Sequence, residues 1–191
     1  MEAYQQGDAR AFEHLLRRHR KPVYNFLYRQ VGTSALAEDM LQEVFLRIIR
    51  GAPRYTRKAK FTTWMYTIAR NLCVDQSRRA KHRQHPSLDQ PLGRESQDKR
   101  TLGDRMASQG PAVDRQAIGT ELRDRLTEAI ANLSDEQREV FLMREYHNLP
   151  FKEIAEIVGV PENTVKSRMR YALERLRQQL EEYRDFAQAI Q

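Results

Sequence analysis

The side chains with the clearest capacity for selective chemistry lie between Asn163 and Tyr171, where Asn163, Thr164, Lys166, Ser167, Arg170 and Tyr171 share the outer face of one helical period. Amides, hydroxyls and cations in that pattern suit noncovalent chemistry, with hydrogen bonds to base edges near a helix N-terminus and ion pairs to phosphates beside them. A second set is cationic and aromatic: Arg54, Tyr55, Arg57, Lys58 and Lys60 in one short stretch, then Tyr66, Arg70, Asn71 and Asp75. Phosphates pair with Lys and Arg while unstacked bases lie on rings, so this set suits single-stranded nucleic acid. A third set, Asp39, Gln42, Glu43 and Leu46, recurs at i, i+3, i+4 and i+7 as an acidic ridge ending in an apolar residue. Such a ridge is compatible with an ordinary solvated face. Catalytic chemistry is not in view: Asp75 has no carboxylate partner in the basic region, and the five His residues stand at no zinc-ligand spacing with Cys or Glu. No catalytic residue, metal or cofactor is expected.

The elements that must carry these residues are helical. Pro150 to Arg177 reads as a helix-turn-helix, with Ala155 leaving room for helix approach and Gly159 supplying the left-handed turn. Pro161 and Glu162 open the second helix, whose inward stripe is Val165, Met169, Ala172, Leu173 and Leu176. The motif is preceded by Leu149-Pro150-Phe151, with Pro150 expected at the first helical position. Upstream, Thr120 to Leu133 is a helix through Leu122, Leu126, Ala129, Ile130 and Leu133. Ser134 to Gln137 forms a capping box, and Val140, Phe141 and Met143 carry a further helix that Asn148 ends.

In the N-terminal part, Ala9 to Arg20 and Val23 to Val31 are two helical runs flanking Pro22, and Gly32-Thr33-Ser34 breaks the pattern and offers a hydroxyl cap. Ala35 to Arg50 has a wide apolar face of Leu36, Met40, Leu41, Val44, Phe45, Ile48 and Ile49. The helix from Phe61 to about Arg79 places Trp64, Ile68, Leu72 and either Met65 or Cys73 inward, with Tyr66, Arg70, Asn71, Val74 and Ser77 nearer the outside. Tyr55 and Tyr66 are therefore better base platforms than Trp64, whose spacing matches the core stripe.

Periodicity fails between about Ala80 and Ala117, where Pro86, Pro91, Gly93, Gly103, Gly110 and Pro111 sit among polar residues. The expected architecture is all-α: two small helical domains, 1–82 and 118–191, joined by a flexible linker at 83–117, the C-terminal one a four-helix domain with a helix-turn-helix.

Composition agrees with a polyanionic partner. The net charge is +7, and from Val44 to His85 eleven basic side chains face one acid, Asp75. No run of about 18 apolar residues occurs, so no stable membrane insertion and a cytoplasmic location are expected. The single cysteine, Cys73, excludes an internal disulfide and reads as a buried structural thiol.

With these parts in place the sequence resembles the extracytoplasmic function (ECF) group of bacterial RNA polymerase sigma factors over residues 3–82 and 118–182. The resemblance is carried by G-D-A-R-A-F-E-H-L at Gly7–Leu15, A-E-D-M-L-Q-E-V-F-L-R at Ala37–Arg47, F-T-T-W-M-Y-T-I-A-R-N-L-C-V-D at Phe61–Asp75, L-S-D-E-Q-R-E-V-F at Leu133–Phe141 and the helix-turn-helix. It implies that Asp39, Gln42, Glu43 and Leu46 dock on the clamp helices of the polymerase's largest subunit. The basic loop and the Tyr66, Arg70, Asn71, Asp75 helix would open the −10 region and hold its bases, and the helix from Asn163 would read the −35 element. Core RNA polymerase, promoter DNA and a cognate anti-sigma factor are the implied partners. Tyr171-Ala172-Leu173 departs from the R-A-R common in relatives. The competing reading is a stand-alone helix-turn-helix regulator with an N-terminal sensor or dimerisation domain; a phosphoacceptor sensor would need strands and clustered acids, and neither is visible.

Overall fold

The structure is a computed structural model that describes residues 1–83 and 113–181. All regular elements among the described residues are helical, in two domains. The first holds α1 (Glu2–Gln5), α2 (Ala9–Val31), α3 (Ser34–Gly51) and α4 (Phe61–Arg83). The second holds α5 (Val113–Ala131), α6 (Asp135–Phe141), α7 (Phe151–Val158) and α8 (Glu162–Gln179). Residues 84–112, the greater part of the expected linker, lie outside the described residues. At its edges the expectation changes: α4 continues through Arg83 and α5 begins at Val113.

α2 starts where the Asp8 carboxylate accepts from the backbone N–H groups of Arg10 (2.9 Å) and Ala11 (3.3 Å), satisfying two otherwise unpaired donors. It ends at Gly32, whose φ of 74° is affordable without a Cβ. The two expected runs are one helix, with Pro22 inside it. Proline removes one helical hydrogen bond, but Val23, Phe26 and Leu27 immediately after it are fully buried, and that packing keeps the chain in register.

α3 buries Ala37, Met40, Leu41, Val44, Phe45 and Ile48 against α2 and α4. Ile49, expected in that face, is 38% exposed because the stripe turns past it toward Ile48. The expected hydroxyl cap does not form. Thr33 is the N-cap through its backbone alone, its carbonyl accepting from Ala37 N–H at 3.0 Å.

In the second domain the Ser134–Gln137 capping box is present in both directions. α6 then passes into a π-helical turn, Leu142–Tyr146, that ends with Asn148 in the left-handed region (φ 52°). Arg144 fastens this turn, donating to the Leu149 carbonyl at 3.2 Å and covering the Phe151 ring at 4.8 Å. The extra residue of a π turn re-aims the side chains that follow it, and here it sends Tyr146 and His147 toward the first domain.

The buried side chains of the two domains are continuous, with Phe26 and Tyr66 on one side and the α6–α8 core on the other. α4 packs along α7, and α2 meets α6 and the π turn.

Candidate nucleic-acid and polymerase interfaces

The helix-turn-helix forms as its sequence dictates. Gly159 takes φ 72° and donates its N–H to the Ala155 carbonyl at 2.9 Å, closing α7 before the chain turns into α8. Pro150 and Pro161 each occupy the position just before a helix rather than the first helical position; the Pro161 carbonyl accepts from Thr164 N–H at 2.9 Å. Val165, Met169, Ala172 and Leu176 are buried, but Leu173, expected inward, is 48% exposed. Four buried positions fill the stripe at i, i+4, i+7 and i+11, and Leu173 falls one residue, about 100° of helix, beyond Ala172.

The six expected contact residues share the outer side of α8. Asn163, Lys166, Ser167, Arg170 and Tyr171 are exposed and Thr164 half-buried. Lys166 pairs with Glu162 one turn earlier at 2.7 Å, and the Arg170 guanidinium lies 4.9 Å from the Tyr171 ring centre. Both cations are thus held extended over solvent by weak local contacts that a phosphate can displace.

On α3, Asp39, Gln42 and Leu46 are exposed and Glu43 half-buried along one line. Arg47 Nε donates to Glu43 at 2.7 Å and holds that carboxyl below the usual carboxylate range. Leu46 (44% exposed) and Ile49 add an uncovered apolar strip beside the acids. The ridge thus combines fixed charge with exposed aliphatic surface along one side of α3.

The basic loop is built rather than loose. Gln5 Nε2 donates to the carbonyls of Ala52 (2.7 Å) and Tyr55 (2.9 Å), tying α1 to the loop. The Tyr55 hydroxyl donates to the Ala59 carbonyl at 3.2 Å, and its ring lies 4.9 Å from the Trp64 ring, tilted by 33°. Arg54, Arg57, Lys58 and Lys60 are exposed, Lys60 pairing with Glu153 of the second domain, and Arg54 and Lys58 line a cavity of about 330 Å³ with Gly51, Tyr55, Thr56, Ala59 and Trp64. Trp64 and Tyr55 are both half-buried, so neither is wholly core nor wholly platform.

α4 departs most from expectation. Its buried residues are Thr63, Met65, Tyr66 and Ala69, whereas Trp64, Ile68, Leu72 and Cys73 are only partly covered. Tyr66, expected outward, is 3% exposed, and burial pushes its hydroxyl pKa up. The cause is the second domain: His147 lies 5.0 Å from the Tyr66 ring and 5.8 Å from Phe26. Arg70 is not free either, its Nε and Nη2 donating to the two Glu139 oxygens at 2.9 and 3.4 Å. Asn71 and Asp75 remain exposed. Burial pushes the Cys73 thiol up to about 12, which makes it a poor nucleophile and agrees with a structural thiol.

Sequence reasoning missed Glu139, Glu153 and His147, which touch the first domain from the second. Nothing local marks them, because the signal is the contact itself.

The two domains match one class of protein. Residues 15–83 match the family model for sigma-70 region 2, and residues 123–176 match that for sigma-70 region 4. Within that class, the chain is 30% identical over 174 residues to the ECF RNA polymerase sigma factor SigW of Bacillus subtilis, covering 91% of both chains. It is 32% identical over 182 residues to the RNA polymerase sigma factor CarQ of Myxococcus xanthus, covering 95% of this chain and 96% of the relative. The fold is shared with the sigma factor RpoE of Bartonella quintana, solved with the anti-sigma factor NepR (TM-score 0.68, 20% identity, 91% of this chain and 98% of that one). It is shared also with CnrH, solved with the cytosolic domain of CnrY (TM-score 0.65, 19% identity, 93% and 92%). The chain belongs to the ECF group of RNA polymerase sigma factors. Its function is transcription initiation with core RNA polymerase at promoter DNA, and nothing favours a stand-alone regulator.

Proposed function

We propose that the three surfaces divide the work of initiation. Asp39, Gln42, Glu43 and Leu46 dock on the clamp helices of the largest polymerase subunit. Arg54, Tyr55, Arg57, Lys58, Lys60, Tyr66, Arg70, Asn71 and Asp75 hold the opened −10 strand. Asn163, Thr164, Lys166, Ser167, Arg170 and Tyr171 read the −35 duplex. The units are 1–82 and 118–191, and contacts to extruded bases offset the few kcal/mol that unstacking costs. The protein performs no catalysis itself, works in the cytoplasm, and is held in check by an anti-sigma factor of its own.

The observation that carries this reading is the α3 ridge, where Asp39, Gln42, Leu46 and Ile49 lie uncovered while the opposite face of the same helix is fully packed. The test is transcription by purified core RNA polymerase on genomic promoter fragments, with and without the protein. Start sites that depend on the protein, and vanish when Asp39, Gln42 and Glu43 are changed together to Ala, are the expected result. Protein-dependent start sites that survive the triple change would remove the ridge from the polymerase contact.

A further inference from the structure

The N-terminal turn reaches the basic loop chiefly through one side chain. The amide nitrogen of Gln5 carries two hydrogens and donates them to the carbonyls of Ala52 (2.7 Å) and Tyr55 (2.9 Å), 47 and 50 residues further along the chain. Carbonyl oxygens only accept, so these two partners also fix which end of the amide faces the loop. Ala52 and Tyr55 bracket the short 3-10 turn Ala52–Arg54, whose own closing bond runs from the Tyr55 N–H to the Ala52 carbonyl at 3.1 Å. Gln5 therefore grips both ends of that turn. Its own place is set independently of the loop: the neighbouring Tyr4 ring lies 5.0 Å from Phe12, Phe12 meets Phe45 of α3 edge-on at 6.4 Å, and Met1 packs on the same core. Glu2 makes a second contact, 3.7 Å from Arg57, but both groups are exposed and such a pair is weak.

We infer that Gln5 is a positioning residue for the basic loop, holding Tyr55 and its neighbours Arg54 and Arg57 in the arrangement that takes the opened −10 strand. The inference rests on the proposed role of that loop in −10 binding. Residues from Tyr55 to Lys60 belong to no helix, so side-chain contacts must do there what helical hydrogen bonds do elsewhere. Tyr55 is held at both ends: its hydroxyl by Ala59 and its ring by Trp64, its main chain by Gln5. A loop already fixed in its binding conformation loses less freedom when a strand binds. Releasing the backbone of a single loop residue is equivalent to about tenfold in affinity. Gln5 thus acts on DNA binding through the loop.

The experiment compares wild type with Gln5→Met, which keeps the length of the side chain and removes both donors. In the free protein, the amides of residues 54–60 are expected to exchange hydrogen severalfold faster in the variant. Gln5→Lys, whose ammonium can donate to the same two carbonyls, is expected to restore slow exchange. As holoenzyme with core RNA polymerase, Gln5→Met should bind the single-stranded non-template −10 segment of a promoter mapped by the transcription assay about tenfold more weakly than wild type, with −35 duplex binding unchanged. Unchanged exchange, or an unchanged affinity for the −10 strand, would overturn the inference. So would equal losses for the −10 strand and the −35 duplex, which mark general destabilisation. Wild-type holoenzyme that does not bind the −10 strand would count against the promoter assignment of the loop instead, and the exchange rates would still decide whether Gln5 holds it.

Discussion

His147 should make the union of the two domains sensitive to mild acid. Its ring is packed against both Phe26 and Tyr66, and its Nε2 is buried without a hydrogen-bond partner. Burial, assisted by the positive charge of Arg29, pulls its pKa from 6.5 down to about 4. A base whose pKa is depressed in the packed state takes up protons more readily when exposed. The packed state therefore keeps its full stability above pH 6.5 and loses it as pH falls toward 4. Linkage between these two values removes about 2 kcal/mol between pH 7 and pH 5, and about 3 kcal/mol in all. Glu139, whose carboxyl is pushed up by burial, acts with the opposite sign, so wild-type pH dependence alone is a mixed signal. The comparison is with His147→Phe, which keeps a ring but cannot titrate. Urea unfolding of both proteins at pH 7 and pH 5 should show wild type losing about 2 kcal/mol more than the variant. Equal losses in the two proteins would refute a neutral, desolvated His147 at the interface.

Three further outcomes are expected. In Gly51→Ala the new Cβ would meet Trp64 Cζ2 at 2.9 Å, so the sole tryptophan must shift; its fluorescence maximum should move, and an unchanged spectrum would contradict the close packing. Lys166→Ala should weaken promoter binding and reduce the slope of log affinity against log salt by about one, whereas an unchanged slope takes Lys166 off the list of phosphate contacts. Ile154→Ala, at a fully buried position of α7, should cost about 2–5 kcal/mol in denaturant unfolding; a cost below about 1 kcal/mol would mean that the helix-turn-helix core is not packed as described.

Local periodicity and turn chemistry decided most of what is regular here. The capping box at Ser134, the left-handed Gly159, the apolar stripe of α3 and the outward set on α8 depend on neighbours within a few residues, so they could be read directly. The ridge of Asp39, Gln42, Glu43 and Leu46 was visible as a pattern, but periodicity could not tell a docking face from a solvated one, and the docking role proposed for it comes from the resemblance to sigma factors. Long-range packing decided the rest. Pro22 stays inside one helix because the buried residues after it hold the register, and Ile49 and Leu173 are exposed because neighbouring positions already fill their stripes. Tyr66 and Arg70 have the spacing of an outer face, yet Tyr66 is buried and Arg70 is paired with Glu139, 69 residues further along the chain. A hydrophobic period reports that a face is covered or open relative to its own domain. Whether a second domain then lies on the open face depends on the charges and shape of that domain, which no local window contains.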